Sequence, residues 1–299
     1  MKSSTRKNSN SSNPTEASVK YRVMRSVMAL LMGLAAWPFG TAQAAPQAPL
    51  VWTDAETGLE FVWVAPGCFD MGASAAKPLD QYGAPGSPRQ DEVPKHRVCV
   101  DGYWMGRYEV TRGQWQRIMG QPASPATAEA QRPMVNVSWQ AVQQFLQRLN
   151  ARAAAGERFR LPTEAEWEYA CQPGEPQSDI DDNRWGREDE LKVTTWFRGN
   201  KRGAEDASEV GSLGANPRGL HDMLGNVWEW VDDSYRPDAY QGHASKNPRI
   251  TEAHERKVLR GGSFRSDIHQ ARCGARAFGL IDDGLTTVGL RLVGEKIRP

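Results

Sequence analysis

An α+β fold, rich in loops and built from short helices and strands, is predicted by three observations. The 299-residue chain carries 28 glycines, 19 prolines and 11 tryptophans, a composition of turns and aromatic anchors rather than long regular elements. Its helical patterns are brief and each begins at a capping residue. Strand-like runs precede and separate them, without the regular strand–helix alternation of a parallel sheet.

In chain order, Leu59-Glu-Phe-Val-Trp-Val64 is a strand candidate that ends in a turn at Pro66-Gly67. Residues 73–94 are dense in Ala, Gly, Pro and charge, and are read as a loop. His96 to Trp104 is strand-like, with Val98 and Val100 alternating before an Asp-Gly turn. Thr111 is placed to cap a short helix through Met119. Ser138 opens the clearest helix, because Val142, Phe145, Leu146 and Leu149 fall at i, i+3, i+4 and i+7 on one apolar face. Thr163 and Glu166 have capping-box spacing for a helix that carries Trp167, Ala170 and Cys171. Residues 172–192 are acidic and read as an insert, and the chain beyond Cys171 reads mostly as turns.

The first 44 residues form a targeting segment. Lys2, Arg6, Lys7, Lys20, Arg22 and Arg25 precede an apolar stretch from Val27 to Gly40, and Ala42 and Ala44 supply the small residues of a cleavage site. The polar part is long enough that translation could start at Met1 or Met24. The expected product is one domain over residues 45–299, secreted or periplasmic, with no stable membrane span after cleavage. Cleavage takes six bases and one acid from the 37 and 36 of the whole chain, and leaves 31 against 35, a net charge of −4. That balance excludes a broad basic face for nucleic acid. In an oxidising compartment the four cysteines read as two disulfides, and their number alone leaves three pairings open.

Eight phrases follow one another in order. They are Gly67-Cys-Phe-Asp-Met-Gly72, Asp91-Glu-Val-Pro-Lys-His-Arg-Val98, Tyr108-Glu-Val-Thr111 and Pro133-Met-Val-Asn-Val-Ser-Trp139. Arg160-Leu-Pro-Thr-Glu-Ala-Glu-Trp-Glu-Tyr169 and Gly219-Leu-His-Asp-Met-Leu-Gly-Asn-Val-Trp-Glu-Trp230 come next. Leu259-Arg-Gly-Gly-Ser-Phe264 and Gly289-Leu-Arg-Leu292 complete the series. Together, over roughly residues 58–293, they resemble the formylglycine-generating enzyme (sulfatase-modifying factor) family. The resemblance implies a fold related to C-type lectins, poor in regular structure and rich in Trp and Gly.

The family's activity does not follow from its fold. Its aerobic members oxidise a sulfatase cysteine to formylglycine with oxygen and a copper(I) ion held by two cysteines shortly after the Arg-Gly-Gly-Ser-Phe phrase. Thiolates suit that soft ion. Here Ser266 stands where the first cysteine belongs, the segment is shorter and the second cysteine is missing. No copper is expected. Cys273 falls in a phrase that the resemblance pairs with Cys171, which leaves Cys68 and Cys99 for each other.

The resemblance also implies a structural calcium ion held by the Asn226 side chain, the Val227 carbonyl and Glu229, with Asp222, Asp232 or Asp233 as further oxygen donors. Trp230, Ser263, Ser266 and His269 match or neighbour residues that line the family's substrate cleft. Ser266, Asp267 and His269 do not make a triad reading, since triad members come from separated segments. Arg260 and Arg276 are expected to hold carboxylates within the fold. The five histidines show no metal-ligand spacing, and His96 is read as structural.

Three function classes follow. The first is an accessory, maturation or binding module, a pseudoenzyme taking a protein, peptide or small-molecule ligand in the cleft. The second is a periplasmic tailoring enzyme on the same scaffold, as in siderophore (pyoverdine) maturation. The third is a formylglycine-generating oxidase. The residues leave open whether any catalysis remains.

Overall fold

The computed structural model of the chain describes residues 48–74, 90–122, 127–172, 192–201, 203–267 and 270–296. The leader and, but for its two end residues, the acidic insert lie outside them. In chain order the strands are β1 (Val51–Thr53), β2 (Glu60–Val64), β3 (Gly67–Met71), β4 (His96–Val100), β5 (Tyr103–Gly106) and β6 (Glu157–Arg160). They continue with β7 (Trp228–Ser234), β8 (Arg256–Arg260), β9 (Arg276–Leu280), β10 (Val288–Leu290) and β11 (Val293–Lys296). The helices are α1 (Arg112–Met119), α2 (Thr127–Ala130), α3 (Trp139–Asn150) and α4 (Glu164–Cys171).

A five-stranded sheet has the order β1-β2-β5-β11-β6, a four-stranded sheet the order β10-β7-β8-β9, and β3 and β4 form a hairpin. Every pairing is antiparallel except β10 with β7. The register sets Trp63 beside Trp104, and Trp104 and Phe159 on either side of Gly294. Trp52 stacks on Phe61 and Phe159, with ring centroids 4.7 and 5.8 Å apart. A Cβ on Gly294 would lie 2.5 Å from the Trp52 ring, so only glycine lets this aromatic layer close over β11.

That layer packs with Trp115 and Ile118 of α1 and with Val142, Phe145, Leu146 and Leu149 of α3. The opposite face of the sheet, with Val62, Val64, Tyr103, Met105 and Val293, packs with α4 and the β3–β4 hairpin. Helix starts follow their caps. Thr111 and Thr163 each make a full capping box, with Gln114 and Glu166, and the Ser138 hydroxyl accepts the Ala141 N–H at 3.1 Å.

The Asp101-Gly102 turn divides the strand-like run His96–Trp104 between two strands. β4 pairs with β3 and β5 pairs with β2 and β11, so the turn carries the chain from one sheet to the other. A side chain on Gly102 would collide with Trp63 at 2.5 Å. The chain beyond Cys171 is mostly turns and irregular backbone, as expected, but all of the four-stranded sheet and one strand of the five-stranded sheet come from it.

The two disulfides join Cys68 to Cys99 and Cys171 to Cys273, as the resemblance implied. Cys68 and Cys99 are direct cross-strand partners on β3 and β4. Among the described residues, no helix is long and apolar enough to cross a membrane.

Candidate functional site

The two glycine-rich phrases that carried the sequence reading are laced together by backbone hydrogen bonds. Gly225 N–H donates to Gly261 O and Phe264 N–H donates to Asn226 O, both at 2.8 Å. Asn226 N–H reaches Trp196 O at 2.8 Å and Arg198 N–H reaches Ser266 O at 3.0 Å, which ties in a third segment. Gly225 has φ +78°, and a Cβ there would sit 2.1 Å from Trp196 O. Glycine is required at this crossing for both its conformation and its size.

Ser263 and Ser266 close the turn that follows. Ser266 Oγ accepts Ser263 N–H at 3.0 Å, and the two hydroxyls lie 3.3 Å apart. Both residues are buried. Asp267 is engaged by Arg198, and His269 lies outside the described residues. Among the described residues no imidazole is bonded to either hydroxyl.

Trp230, expected at the cleft, is a core residue with no exposed surface. Its indole N–H donates to Val137 O at 3.0 Å, and its ring packs where a Cβ on Gly279 would otherwise stand. A surface hollow of about 830 Å³ lies where β5 and β11 diverge, walled by Trp63, Tyr103, Arg158 and Lys296. A second, of about 540 Å³, lies beside His243, Asp238 and Glu252. Neither is lined by Trp230, Ser263 or Ser266.

The side-chain oxygens expected to hold calcium are already used. Asn226 Oδ1 accepts Ser208 N–H at 2.9 Å, and its amide nitrogen donates to Glu109 Oε2 at 2.6 Å. Both Glu229 oxygens accept from Arg291, at 2.8 to 3.1 Å, and Oε2 also accepts the Trp167 indole N–H at 2.7 Å. A carboxylate so engaged has little left for a hard cation, and the adjacent guanidinium repels one. As placed, these residues do not fit a calcium ion. Of the further donors, Asp222 accepts Gly211 N–H, Asp232 is engaged by Arg249, and Asp233 accepts Glu164 and Ile250 N–H.

Arg260 and Arg276 do hold carboxylates. Arg260 is paired with Glu168 and reaches Glu164 at 3.4 Å, and it donates to the carbonyls of Cys273, Gly274 and Ala275. Arg276 takes both oxygens of Glu164, at 2.7 and 3.1 Å. Burial works against ionisation of Glu164, but Arg276 and Arg260 hold it below its ordinary range. Arg272 grips Glu92 through two bonds of 2.9 Å. These acids were not singled out from the sequence. Glu164 and Glu168, four apart on the helix that Thr163 caps, were the available signal.

Comparison with known proteins then decides the family. Residues 47–296 match the model of the sulfatase-modifying factor enzyme 1-like domain. The chain belongs to this family. It is 29% identical to the formylglycine-generating enzyme of Thermomonospora curvata over 232 residues, covering 72% of this chain and 70% of that one. It is 28% identical to the inactive C-alpha-formylglycine-generating enzyme 2 of Mus musculus over 204 residues, covering 64% of this chain and 58% of that protein. The solved structure of PvdO from Pseudomonas aeruginosa superposes with a TM-score of 0.66 at 26% identity, over 83% of this chain and 99% of that one. None of the four cysteines is free.

Proposed function

We propose that the protein is a secreted or periplasmic accessory or binding module that has kept the scaffold of the sulfatase-modifying factor family without its copper–cysteine oxidation. One observation carries this reading. Every cysteine of the chain is spent in a disulfide, so no thiol pair is left to bind copper(I) or take part in oxidising a substrate cysteine. Ser266, in the place of the first reactive cysteine, instead spends its hydroxyl on closing a turn. The two disulfides also suit an oxidising compartment. The ligand would be a protein, a peptide or a small molecule.

The experiment is incubation of the purified protein with a peptide containing Cys-x-Pro-x-Arg, oxygen and copper(I), followed by mass spectrometry for the aldehyde. No conversion and no tight stoichiometric copper(I) binding are expected. Aldehyde formation would overturn the proposal.

A second reading is a tailoring enzyme on the same scaffold, of the siderophore-maturation kind. The likeness to PvdO over nearly the whole of that chain favours it. The two readings part on whether purified protein converts a siderophore precursor or only binds a ligand.

A further inference from the structure

We infer that His96 and His243 form an acid-released latch that holds the segment 236–255 against β4. His96 lies at the start of β4, and His243 lies on the long connection between β7 and β8. His96 Nδ1 is 2.9 Å from Pro94 O, and His96 Nε2 is 3.1 Å from His243 Nδ1. The Tyr240 ring closes the group, with centroids 5.0 Å from His96 and 5.3 Å from His243. His243 Nε2 is buried and, among the described residues, has no hydrogen-bond partner.

Counting protons fixes the behaviour of the pair. A carbonyl oxygen only accepts, so His96 Nδ1 carries a hydrogen. The gap between the rings holds one hydrogen, because two would collide. With both rings neutral these two positions account for both hydrogens, and His243 Nε2 is a bare lone pair. A third proton therefore has one place to go, His243 Nε2, where it is buried without an acceptor. An unmatched buried N–H is costly.

The surrounding charges agree with that count. Burial, the neighbouring His96 and Arg276 of β9 all oppose a proton on His243, while Glu164 of α4 favours it; together they push its pKa down to about 4. Glu164 is already taken by Arg276 and Arg260 and accepts the Tyr240 hydroxyl. Arg236, Asp238, Arg249 and Glu252 stand around the adjoining hollow, which lies under the same segment.

The segment has other ties that do not involve the two imidazoles. Cys99 N–H donates to Ser245 O and Asn247 N–H donates to Cys99 O, both at 2.8 Å. Asp101 exchanges hydrogen bonds with Asn247, and its bonds to Asn247 and Lys246 hold its carboxyl below the usual range. Asp233, which accepts Ile250 N–H, is pushed up to about 7 by burial, with Glu164 adding to the rise. It belongs to β7, which stays folded in both forms, so its proton is common to both and does not enter the opening equilibrium.

The direction follows from linkage. A released His243 titrates near the ordinary histidine value of about 6.5. Above that pH, closed and open forms are both neutral and the latch is fully effective. As pH falls toward 4, the open form takes a proton that the closed form refuses. The equilibrium constant for opening should then rise at least about tenfold per pH unit.

The test is amide hydrogen exchange of the purified protein from pH 7 to pH 4, corrected for intrinsic exchange rates. Amides of Cys99 and Asn247 should lose protection at least about tenfold per unit while the β7–β8 ladder keeps its own. In a His243→Gln variant that loss should be shallower than in the wild-type protein. Equal loss in the β7–β8 ladder, or an unchanged pH slope in the variant, would overturn the latch. Imidazole nitrogen titration of the wild-type protein decides the matter even if the variant does not fold. A His243 midpoint near 6.5 in the native state rules the latch out, and a midpoint well below it supports it.

Discussion

Glu229 and Arg291 show what a motif residue does once its surroundings are filled in. The phrase that ends in Trp-Glu-Trp places Glu229 in the core, and the Gly-Leu-Arg-Leu phrase near the C-terminus supplies the guanidinium that neutralises it. Arg291 also donates to the carbonyls of Gly106 and His221, so one side chain joins three segments. Burial pushes Glu109 well above its ordinary range, with Asp222 and Glu229 adding to the rise, and Arg291 is the cation that limits it. An Arg291→Met variant would keep the volume and leave Glu229 without its partner. Removing one member of a buried pair costs about 3–5 kcal/mol, so urea unfolding should show a loss of that size. A loss under about 1 kcal/mol, in the range of an exposed pair, would refute this role. Melting of the wild-type protein in EGTA checks the same residues from the other side. With Glu229 held by Arg291, the transition should not move. A fall on chelation, restored by calcium, would mean that these oxygens turn toward a cation in solution.

Among the elements, the helices were the most legible in the sequence. A cap and a 3.6-residue period are local signals, and Ser138 with Val142, Phe145, Leu146 and Leu149 places α3 as observed. Ser138→Ala removes the side-chain acceptor of Ala141 N–H and should cost about 1 kcal/mol in chemical unfolding. Restoration of stability by Asp or Asn at that position would separate capping from packing. The strands after Cys171 were not legible, for a physical reason. In β7 the residues from Glu229 to Val231 are all buried, so no alternation marks the strand, and β10 is three residues buried throughout. The Asp-Gly turn was legible, but the dipeptide does not say which strand the next one will join. At the site, the missing thiol pair was plain in the sequence, because it depends on residue identity. The burial of Trp230 and the capture of Glu229 were hidden, because both depend on partners far away in the chain. His243 carried no motif at all, and only the fold brings it to His96.

Across the whole molecule, the disulfides lock parts of the chain at very different distances. Cys68–Cys99 closes 31 residues across a hairpin whose strands already pair directly. Cys171–Cys273 closes 102 residues and ties the end of α4 to the segment between β8 and β9, where Arg260 donates to the Cys273 carbonyl. Loop-closure entropy gives about 3.7 kcal/mol for the shorter loop and about 4.7 kcal/mol for the longer one. Replacing Cys171 and Cys273 by Ala or Ser should therefore destabilise more than the same change at Cys68 and Cys99, by about 1 kcal/mol from chain entropy alone. Both sulfurs of the longer bridge are buried with the main core, so added packing loss should widen that gap. Urea unfolding of the two double variants measures it. Equal losses, or a greater loss at Cys68 and Cys99, would show that the hairpin staple rather than the long-range one holds the fold. The comparison also bears on function. If both pairs prove purely structural, with stability lost and ligand binding by the surviving folded fraction unchanged, the cysteines of this chain have no chemical role left to play.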